Sequence, residues 1–132
     1  EGAKKSSAKS NHASVVKYLA AEIQKCNTGA GEAMDDNLDC DDIAATVTDR
    51  ATPAITAAAL ALADFKNPAS PANDAVVDAS ESGAASGVGY TVMTKASNTE
   101  ITVTTQYEAV DTTDDKKKTA DLVSLENDVK LD

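Results

Sequence analysis

The chain has few of the side chains that fill a large hydrophobic core. Its 132 residues include one Phe, three Tyr and no Trp. A chain of this length fits one domain, so residues 1–132 are expected to form a single unit around a thin core, with long loops. No run of residues has the length and hydropathy of a transmembrane helix, and no signal peptide is recognisable.

The signatures of common catalytic and cofactor sites are also missing. The sequence has no phosphate-binding loop, no dinucleotide-binding fingerprint and no zinc-ligand spacing. Its one histidine, His12, has no second His or Cys near it in the sequence. Such a histidine is predicted to be an exposed helix residue rather than a ligand or a general base. We therefore predict that the protein is not an enzyme and binds no cofactor.

Basic residues are scarce and unevenly placed. The formal net charge is −10, yet residues 1–25 hold five lysines against Glu1 and Glu22, which is +3, so the remainder carries −13. Strong nucleic-acid binding by such an acidic chain is not expected, because phosphate neutralisation supplies most of the affinity in that class of protein. The asymmetry indicates either ordinary solvated charge or contacts between the basic helix of one copy and the acidic body of another.

The clearest positive signal is an amphipathic helix at the start of the chain. Helical spacing predicts a helix from about residue 3 to residue 26, with Gly29 and Gly31 after its end. Its apolar face for packing and assembly is predicted to consist of Val16, Leu19, Ala20 and Ile23. A helix of this length spans roughly 36 Å. A small domain does not need so long a helix, so we expect one end to protrude.

Residues 27–86 are predicted to connect this helix to a sheet. The acidic stretch 27–51 has no regular pattern and is predicted to be a loop. A second helix is expected over about 53–66, where Thr52 can act as a cap and Pro53 suits the first helical turn. Residues 67–86 are rich in Pro, Ser and Ala, which favours a second loop.

Residues 87–132 are predicted to form a small antiparallel sheet. Alternating patterns over 88–94 and 100–107, separated by a turn at 95–98, predict a β-hairpin. A third strand is expected over 120–126. The fold class is therefore α+β, with the long N-terminal helix (residues 1–26) packed on a C-terminal antiparallel sheet and a short helix in the connecting region.

The two cysteines, Cys26 and Cys40, are predicted to form a disulfide. Their spacing fits no redox dipeptide motif, and no histidine lies near them in the sequence, which disfavours the alternatives of a metal or redox pair. Closing a loop of about 14 residues stabilises a fold by roughly 3 kcal/mol in the chain-entropy account. A disulfide also indicates an oxidising compartment.

Two acidic segments carry the oxygen ligands that calcium prefers. Asp35, Asn37 and Asp39 match the first three positions of a calcium loop, but Cys40 stands where that loop needs Gly and Thr46 where it needs Glu. A regular calcium-binding hand is therefore not predicted. The candidates for an irregular calcium site are Asp35, Asn37, Asp39, Asp111, Asp114 and Asp115, and the alternative is that both segments are hydrated loops.

Residues 2–26 resemble a known family. They read GAKKSSAKSNHASVVKYLAAEIQKC, which resembles the amphipathic half of the N-terminal helix of type IV pilins, in particular bacterial major pilins of the type IVa or competence kind. The stop at Phe65-Lys66-Asn67-Pro68 after a short helix, and a C-terminal hairpin followed by another strand, are also similar to that family. The match in letters is specific over residues 2–26, and the rest agrees in the order of elements.

The resemblance implies a structural subunit that polymerises into a cell-surface pilus for adhesion, motility or DNA uptake. It implies that the chain is an N-terminally truncated soluble domain, whose upstream apolar helix half anchors the precursor in the bacterial inner membrane. The partners would be further copies of the chain and the pilus assembly machinery, and the location would be extracellular. The family's cleavage site and assembly glutamate lie upstream of Glu1, so no residue here inherits those roles.

Two alternatives stay open. The first is a pseudopilin of a type II secretion system, or a minor pilin, with a calcium-binding loop. The second is a small secreted adhesive or ligand-binding module that uses the loops at 79–86 or 111–118.

The chain also departs from the many pilins that enclose a C-terminal receptor-binding loop with their disulfide. Here Cys26 and Cys40 would tie the helix end to the connecting region instead.

Overall fold

One long helix organises the fold. The structure is a computed structural model that describes residues 2–79, 88–108, 113 and 124–131. Helix α1 spans Gly2–Asn27, close to its predicted bounds. It ends in a Schellman turn, in which the Ala30 N–H donates to the Lys25 carbonyl at 3.1 Å. Gly29 makes this turn possible, because its φ of +106° is one that side-chain-bearing residues rarely adopt.

Helix α1 buries one face against the rest of the domain. The buried positions recur every three or four residues, and they are Ala8, His12, Val15, Leu19, Glu22 and Ile23. Two members of the predicted apolar face, Leu19 and Ile23, belong to this set. Val16 is only half-buried and Ala20 is exposed, so the buried face is rotated from the predicted one.

The expected protruding end of α1 is limited to its first turn. Ala8 is almost fully buried, and Lys5 already reaches Glu108 beyond the end of a strand, with 3.9 Å between Nζ and Oε2. Ala3 and Lys4 are exposed. The sheet therefore reaches nearly to the beginning of the helix.

Residues 27–51 are not a loop throughout, so that prediction was wrong. They contain an antiparallel pair, β1 (Glu32–Ala33) and β2 (Leu38–Asp39), and a 3-10 helix (Cys40–Ile43). The buried side chains of this region are Ala33, Met34, Leu38, Cys40, Ile43 and Ala51. They are too few and too irregularly spaced among acidic residues to give a periodic signal.

Helix α2 spans Ala51–Ala61, so it begins and ends earlier than predicted. Asp49 is its effective cap: one carboxylate oxygen accepts from the Thr52 N–H at 3.1 Å and the other from the Thr52 hydroxyl at 2.7 Å. The Lys95 ammonium lies 3.0 Å from the same carboxylate. Pro53 falls in the first turn, as expected, where its missing N–H costs nothing.

Residues 67–86, predicted to be a loop, contain strands as far as they are described. β3 (Lys66–Asn67) pairs with β4 (Ser70–Asp74), and β5 (Val76–Asp78) joins the main sheet. Asn67 is fully buried, accepts from the Ala69 N–H at 2.8 Å and donates to the Val88 carbonyl at 3.1 Å. Residues 80–86 of the predicted loop lie outside the described part of the chain.

The main sheet has the order β5-β6-β7-β8. β6 (Thr91–Ser97), β7 (Glu100–Gln106) and β8 (Ser124–Lys130) are antiparallel neighbours, while β5 runs parallel to β6. The predicted hairpin and the third strand are present, although the third strand is shifted towards the C-terminus. Asn98 and Thr99 form the hairpin turn. The predicted α+β class is confirmed.

The core lies between the inner face of the sheet and the two helices. The sheet contributes Thr91, Met93, Ile101, Val103, Thr105 and Val129. Helix α2 contributes mainly small side chains, namely Ala51, Ala54, Ile55, Ala57 and Ala58. Because alanine keeps helix and sheet close together, a thin core is packed with aromatic side chains, Tyr18 and Phe65, only at its margin among the described residues.

The Asp49 cap makes a testable contribution to stability at low pH. Hydrogen bonds from the Thr52 hydroxyl and amide, followed by the one from Lys95, lower the pKa of Asp49 from 3.8 to about 2. Since the folded-state pKa lies below the unfolded value, the stabilisation is complete above about pH 4 and is lost as the pH falls through about 2. Urea denaturation should show that Asp49→Asn lowers the free energy of unfolding above about pH 4, and that this loss shrinks as the pH falls to about 2.

A matched control for this series is Asp64→Asn. Asp64 is exposed and has no ion pair or hydrogen bond from its side chain within the described residues. Its substitution should leave stability unchanged at every pH. The capping account would be contradicted if the loss of stability in Asp49→Asn stayed constant between about pH 4 and 2. It would also be contradicted if Asp64→Asn lost the same stability.

Candidate interaction surface

His12 is buried between α1 and the sheet, with 3% of its surface exposed. Its Nε2 lies 2.7 Å from Asn127 Oδ1 on β8, and its Nδ1 lies 2.8 Å from Thr105 Oγ1 on β7. The prediction of an exposed helix histidine is therefore wrong. The sequence could not reveal the role of His12, because its two partners lie 93 and 115 residues further along the chain.

The hydrogen bonds that His12 makes to β7 and β8 continue into the sheet through a second hydroxyl. Thr105 Oγ1 lies 3.2 Å from Thr91 Oγ1, and both threonines are fully buried. Because the Asn127 oxygen can only accept, Nε2 of His12 is the donor in that hydrogen bond. A satisfied polar network in an aliphatic core fixes geometry, since displacement would leave buried groups unpaired. The network therefore sets the rotation of α1 on the sheet.

The beginning of α1 is held by one aromatic ring. The ammonium groups of Lys9 and Lys5 lie 4.4 and 5.3 Å from the centroid of the Tyr107 ring, and Lys5 also pairs with Glu108. Such cation–π contacts are worth about 0.5–1 kcal/mol at exposed positions. Two lysines of the basic segment are thus engaged within their own molecule.

The end of α1 is fastened to the β1–β2 hairpin in two ways. The predicted disulfide between Cys26 and Cys40 is present. Glu22 is buried, and its Oε1 accepts from the Met34 N–H at 2.6 Å, while its Oε2 pairs with Lys25 at 3.2 Å. A buried carboxylate that accepts a main-chain N–H makes a charge-assisted bond, which is stronger than a neutral one. The hairpin region is therefore held to the helix by a disulfide and by a charge-assisted hydrogen bond.

The turn of this hairpin has an unusual backbone. Three consecutive residues, Met34, Asp35 and Asp36, have φ values of 55°, 55° and 65°. Each costs about 1 kcal/mol relative to the right-handed region. The Asn37 side chain offsets part of that cost by donating to the Met34 carbonyl at 3.0 Å. Burial of the Met34 side chain and the bond from Glu22 hold the turn in place.

The hairpin and the 3-10 helix expose a group of carboxylates, here called the acidic surface, which comprises Glu32, Asp35, Asp36, Asp39, Asp41 and Asp42. No lysine or arginine occurs in the sequence between Lys25 and Arg50. Burial, followed by the carboxylates of Asp35 and Glu22, raises the pKa of Tyr18 to about 12. The Tyr18 hydroxyl is buried and has no hydrogen-bond partner among the described residues. This end of the molecule is strongly anionic.

The calcium candidates are only partly described. Asn37 is engaged with Met34, and Asp39 Oδ1 accepts from the Asp41 N–H at 3.0 Å, which caps the 3-10 helix. Within the described ranges, no group of three or more His, Cys, Asp or Glu side chains is arranged to hold a metal ion. Asp111, Asp114 and Asp115 lie outside the described residues.

The side of α1 opposite the sheet, here called the open face, consists of Ala13, Ser14, Lys17, Ala20, Ala21 and Gln24, all exposed. Lys17 is its only charged residue. The helical neighbours of Lys17, at three and four residues on either side, are Ala and Ser. The open face is therefore a low surface of small side chains from which one long cation projects.

Comparisons with known proteins found no relative: no family model, no curated protein and no solved structure matches the chain. In the part of the chain that the structure describes, neither helix combines the length and the hydropathy needed to span a bilayer.

Replacing His12 tests whether the buried network positions α1. His12→Ala should lower the free energy of unfolding by about 2–4 kcal/mol, because it opens a cavity and leaves Thr105 short of a partner. Ser10→Ala, on an exposed position of the same helix, should change it by less than about 0.5 kcal/mol. Urea denaturation of both variants provides the measurement. If His12→Ala and Ser10→Ala had equal free energies of unfolding, a structural role for His12 would be refuted.

Proposed function

We propose that the chain is the globular part of a structural subunit of a type IV pilus, a filament that serves adhesion, motility or DNA uptake. The observation that carries this proposal is the two-sided character of α1. One side is bonded first to the sheet and then to the hairpin and the 3-10 helix, from Lys5 to Cys26, and the other side is open and built mostly of small residues. The resemblance of residues 2–26 to a pilin helix adds support.

An open face of alanine and serine is suited to close packing against other helices. The distance between packed helix axes, about 8–10 Å, depends on the side chains at the contact, and small side chains permit the shorter values. Such packing loses little side-chain entropy at Ala13, Ala20 and Ala21, because alanine has no side-chain rotamers to fix. A subunit whose long helix binds its own sheet on one side can therefore offer the opposite side to further copies.

The disulfide agrees with assembly outside the cytoplasm. Cys26–Cys40 fixes the hairpin to the end of α1, and disulfides persist in oxidising compartments. In this proposal the precursor is anchored in the bacterial inner membrane by an upstream apolar helix half. The partners are further copies of the chain and the assembly machinery, and the assembled product is extracellular.

No observation on the described residues favours the alternatives. A pseudopilin or minor pilin with a calcium site would need ligands such as Asp111, Asp114 and Asp115. A secreted adhesive module would rely on the loops at 79–86 and 111–118, which are almost entirely outside the described ranges. Calorimetry with calcium on the purified chain distinguishes the first alternative from the proposed function. Micromolar calcium binding with a raised melting temperature would favour that alternative.

Deleting the gene in the producing cell tests the proposal. Electron microscopy should show that one class of surface filament disappears and returns on complementation with the intact gene. Complementation with a Cys26→Ser and Cys40→Ser double variant should restore fewer filaments, because losing a 14-residue cross-link costs about 3 kcal/mol of subunit stability. Filaments unchanged in number and diameter in the deletion strain would contradict the proposal.

A further inference from the structure

A cleft of about 770 Å³ opens beside the disulfide, between the end of α1, the 3-10 helix and the residue that follows β8. Pockets that hold small ligands commonly measure about 300–1,000 Å³. The apolar part of its lining includes the disulfide, Ala30, Ile43, Ala45 and Leu131. Arg50 and Asp41 also line it. The cleft therefore combines apolar surface with two charges of opposite sign.

Arg50 is held in a fixed position beside this cleft. It is the only arginine in the sequence, and it immediately precedes α2. Its Nε donates to the Val47 carbonyl at 3.1 Å and its Nη2 donates to the Ala45 carbonyl at 2.9 Å. Its main-chain N–H donates to the Asn98 carbonyl at 2.8 Å. Because the backbone and the side chain are both fixed, a ligand that binds the guanidinium orders little that is not already ordered.

The guanidinium of Arg50 keeps one edge available. The bonds to Val47 and Ala45 use the edge formed by Nε and Nη2. The neighbouring edge, formed by Nη1 and the second hydrogen of Nη2, has no hydrogen bond within the described residues, and Arg50 has no ion pair there. Two parallel N–H groups on one edge match the two oxygens of a carboxylate. This fixed fork beside a cleft distinguishes Arg50 from the exposed lysines, whose ammonium groups offer no such geometry.

Asp41 limits the kind of anion that the cleft can accept. Its side chain makes no hydrogen bond or ion pair within the described residues, so its charge is not neutralised there. One arginine against one aspartate leaves no net positive charge in this part of the lining, and the whole chain carries −10. Such a field repels multiply charged anions. A ligand with a single carboxylate is therefore favoured, and the geometry of the guanidinium selects it.

We propose that the cleft binds a ligand that carries one carboxylate on an aliphatic body, with the carboxylate on the available edge of Arg50 and the body against Ala45 and Leu131. A peptide C-terminus and a free short-chain fatty acid share this chemistry. The Cys26–Cys40 disulfide joins two walls of the cleft, so the cleft is formed before the ligand arrives. The inference goes beyond the proposed function and does not depend on it, because a single chain supplies the whole lining described above.

Calorimetric titration of the purified chain tests the carboxylate. The probes are N-acetyl-leucyl-leucine with a free C-terminus, the C-terminal amide of the same peptide, and hexanoate. At least one of the two carboxylates should bind saturably with a Kd below about 1 mM, and the amide should bind at least about tenfold more weakly than the free peptide acid. Hexanoate that binds as tightly as the peptide acid, or more tightly, assigns the cleft to fatty acids. Weaker hexanoate assigns it to a peptide terminus.

Variants locate the binding in this cleft. Arg50→Lys keeps the charge but loses the fork, so affinity should fall about fivefold or more. Ala45→Trp should abolish binding, because it fills the cleft from an exposed position and leaves the Ala45 carbonyl in place for Arg50. Its matched control is Thr46→Trp, the next exposed residue and not part of the described lining, which should leave binding unchanged. Asp41→Asn should raise affinity about twofold or more, because it removes a like charge.

Urea denaturation shows whether Arg50→Lys loses affinity through unfolding, and Ala45→Trp against Thr46→Trp then decides the matter. The inference would be overturned by equal binding of the peptide acid and its amide, or by equal binding to Ala45→Trp and Thr46→Trp. It would also be overturned if neither carboxylate bound saturably up to about 10 mM. None of these results depends on whether the deletion strain loses its filaments, so the cleft and the pilus proposal stand or fall separately.

Discussion

The buried bridge from His12 to Thr105 and Asn127 is the interaction on which the other features depend. A helix packed only through Val15, Leu19 and Ile23 could rotate or slide at small cost, because aliphatic contacts are not directional. Two hydrogen bonds to fixed positions on β7 and β8 remove that freedom. They decide which side of α1 faces the sheet and therefore which side remains open.

The remaining contacts act at the two ends of this fixed helix. Tyr107 holds the beginning through Lys5 and Lys9, and the disulfide holds the end. Glu22 holds the hairpin, whose exposed side chains include Glu32, Asp35 and Asp36, against the helix. As a result, α1 presents an open face of small residues with one cation, and exposed carboxylates lie on the hairpin and the 3-10 helix.

Local features were predictable from the sequence, and non-local ones were not. The bounds of α1, the disulfide and the β6–β7 hairpin follow from spacing, glycine placement and alternation. The rotation of α1 was misjudged because the polar residues His12 and Glu22 occupy its buried face. The parallel pairing of β5 with β6 and the left-handed turn at Met34–Asp36 depend on distant contacts that no window of sequence contains.

Amine labelling of assembled filaments tests most directly whether the open face of α1 is an assembly surface. In the isolated chain, Lys17 and Lys130 are both exposed, so an acylating reagent followed by mass spectrometry should modify them to similar extents. In filaments that contain the chain, the account predicts that Lys17 is protected about tenfold or more relative to the isolated chain. Equal labelling of Lys17 in the two states would contradict it.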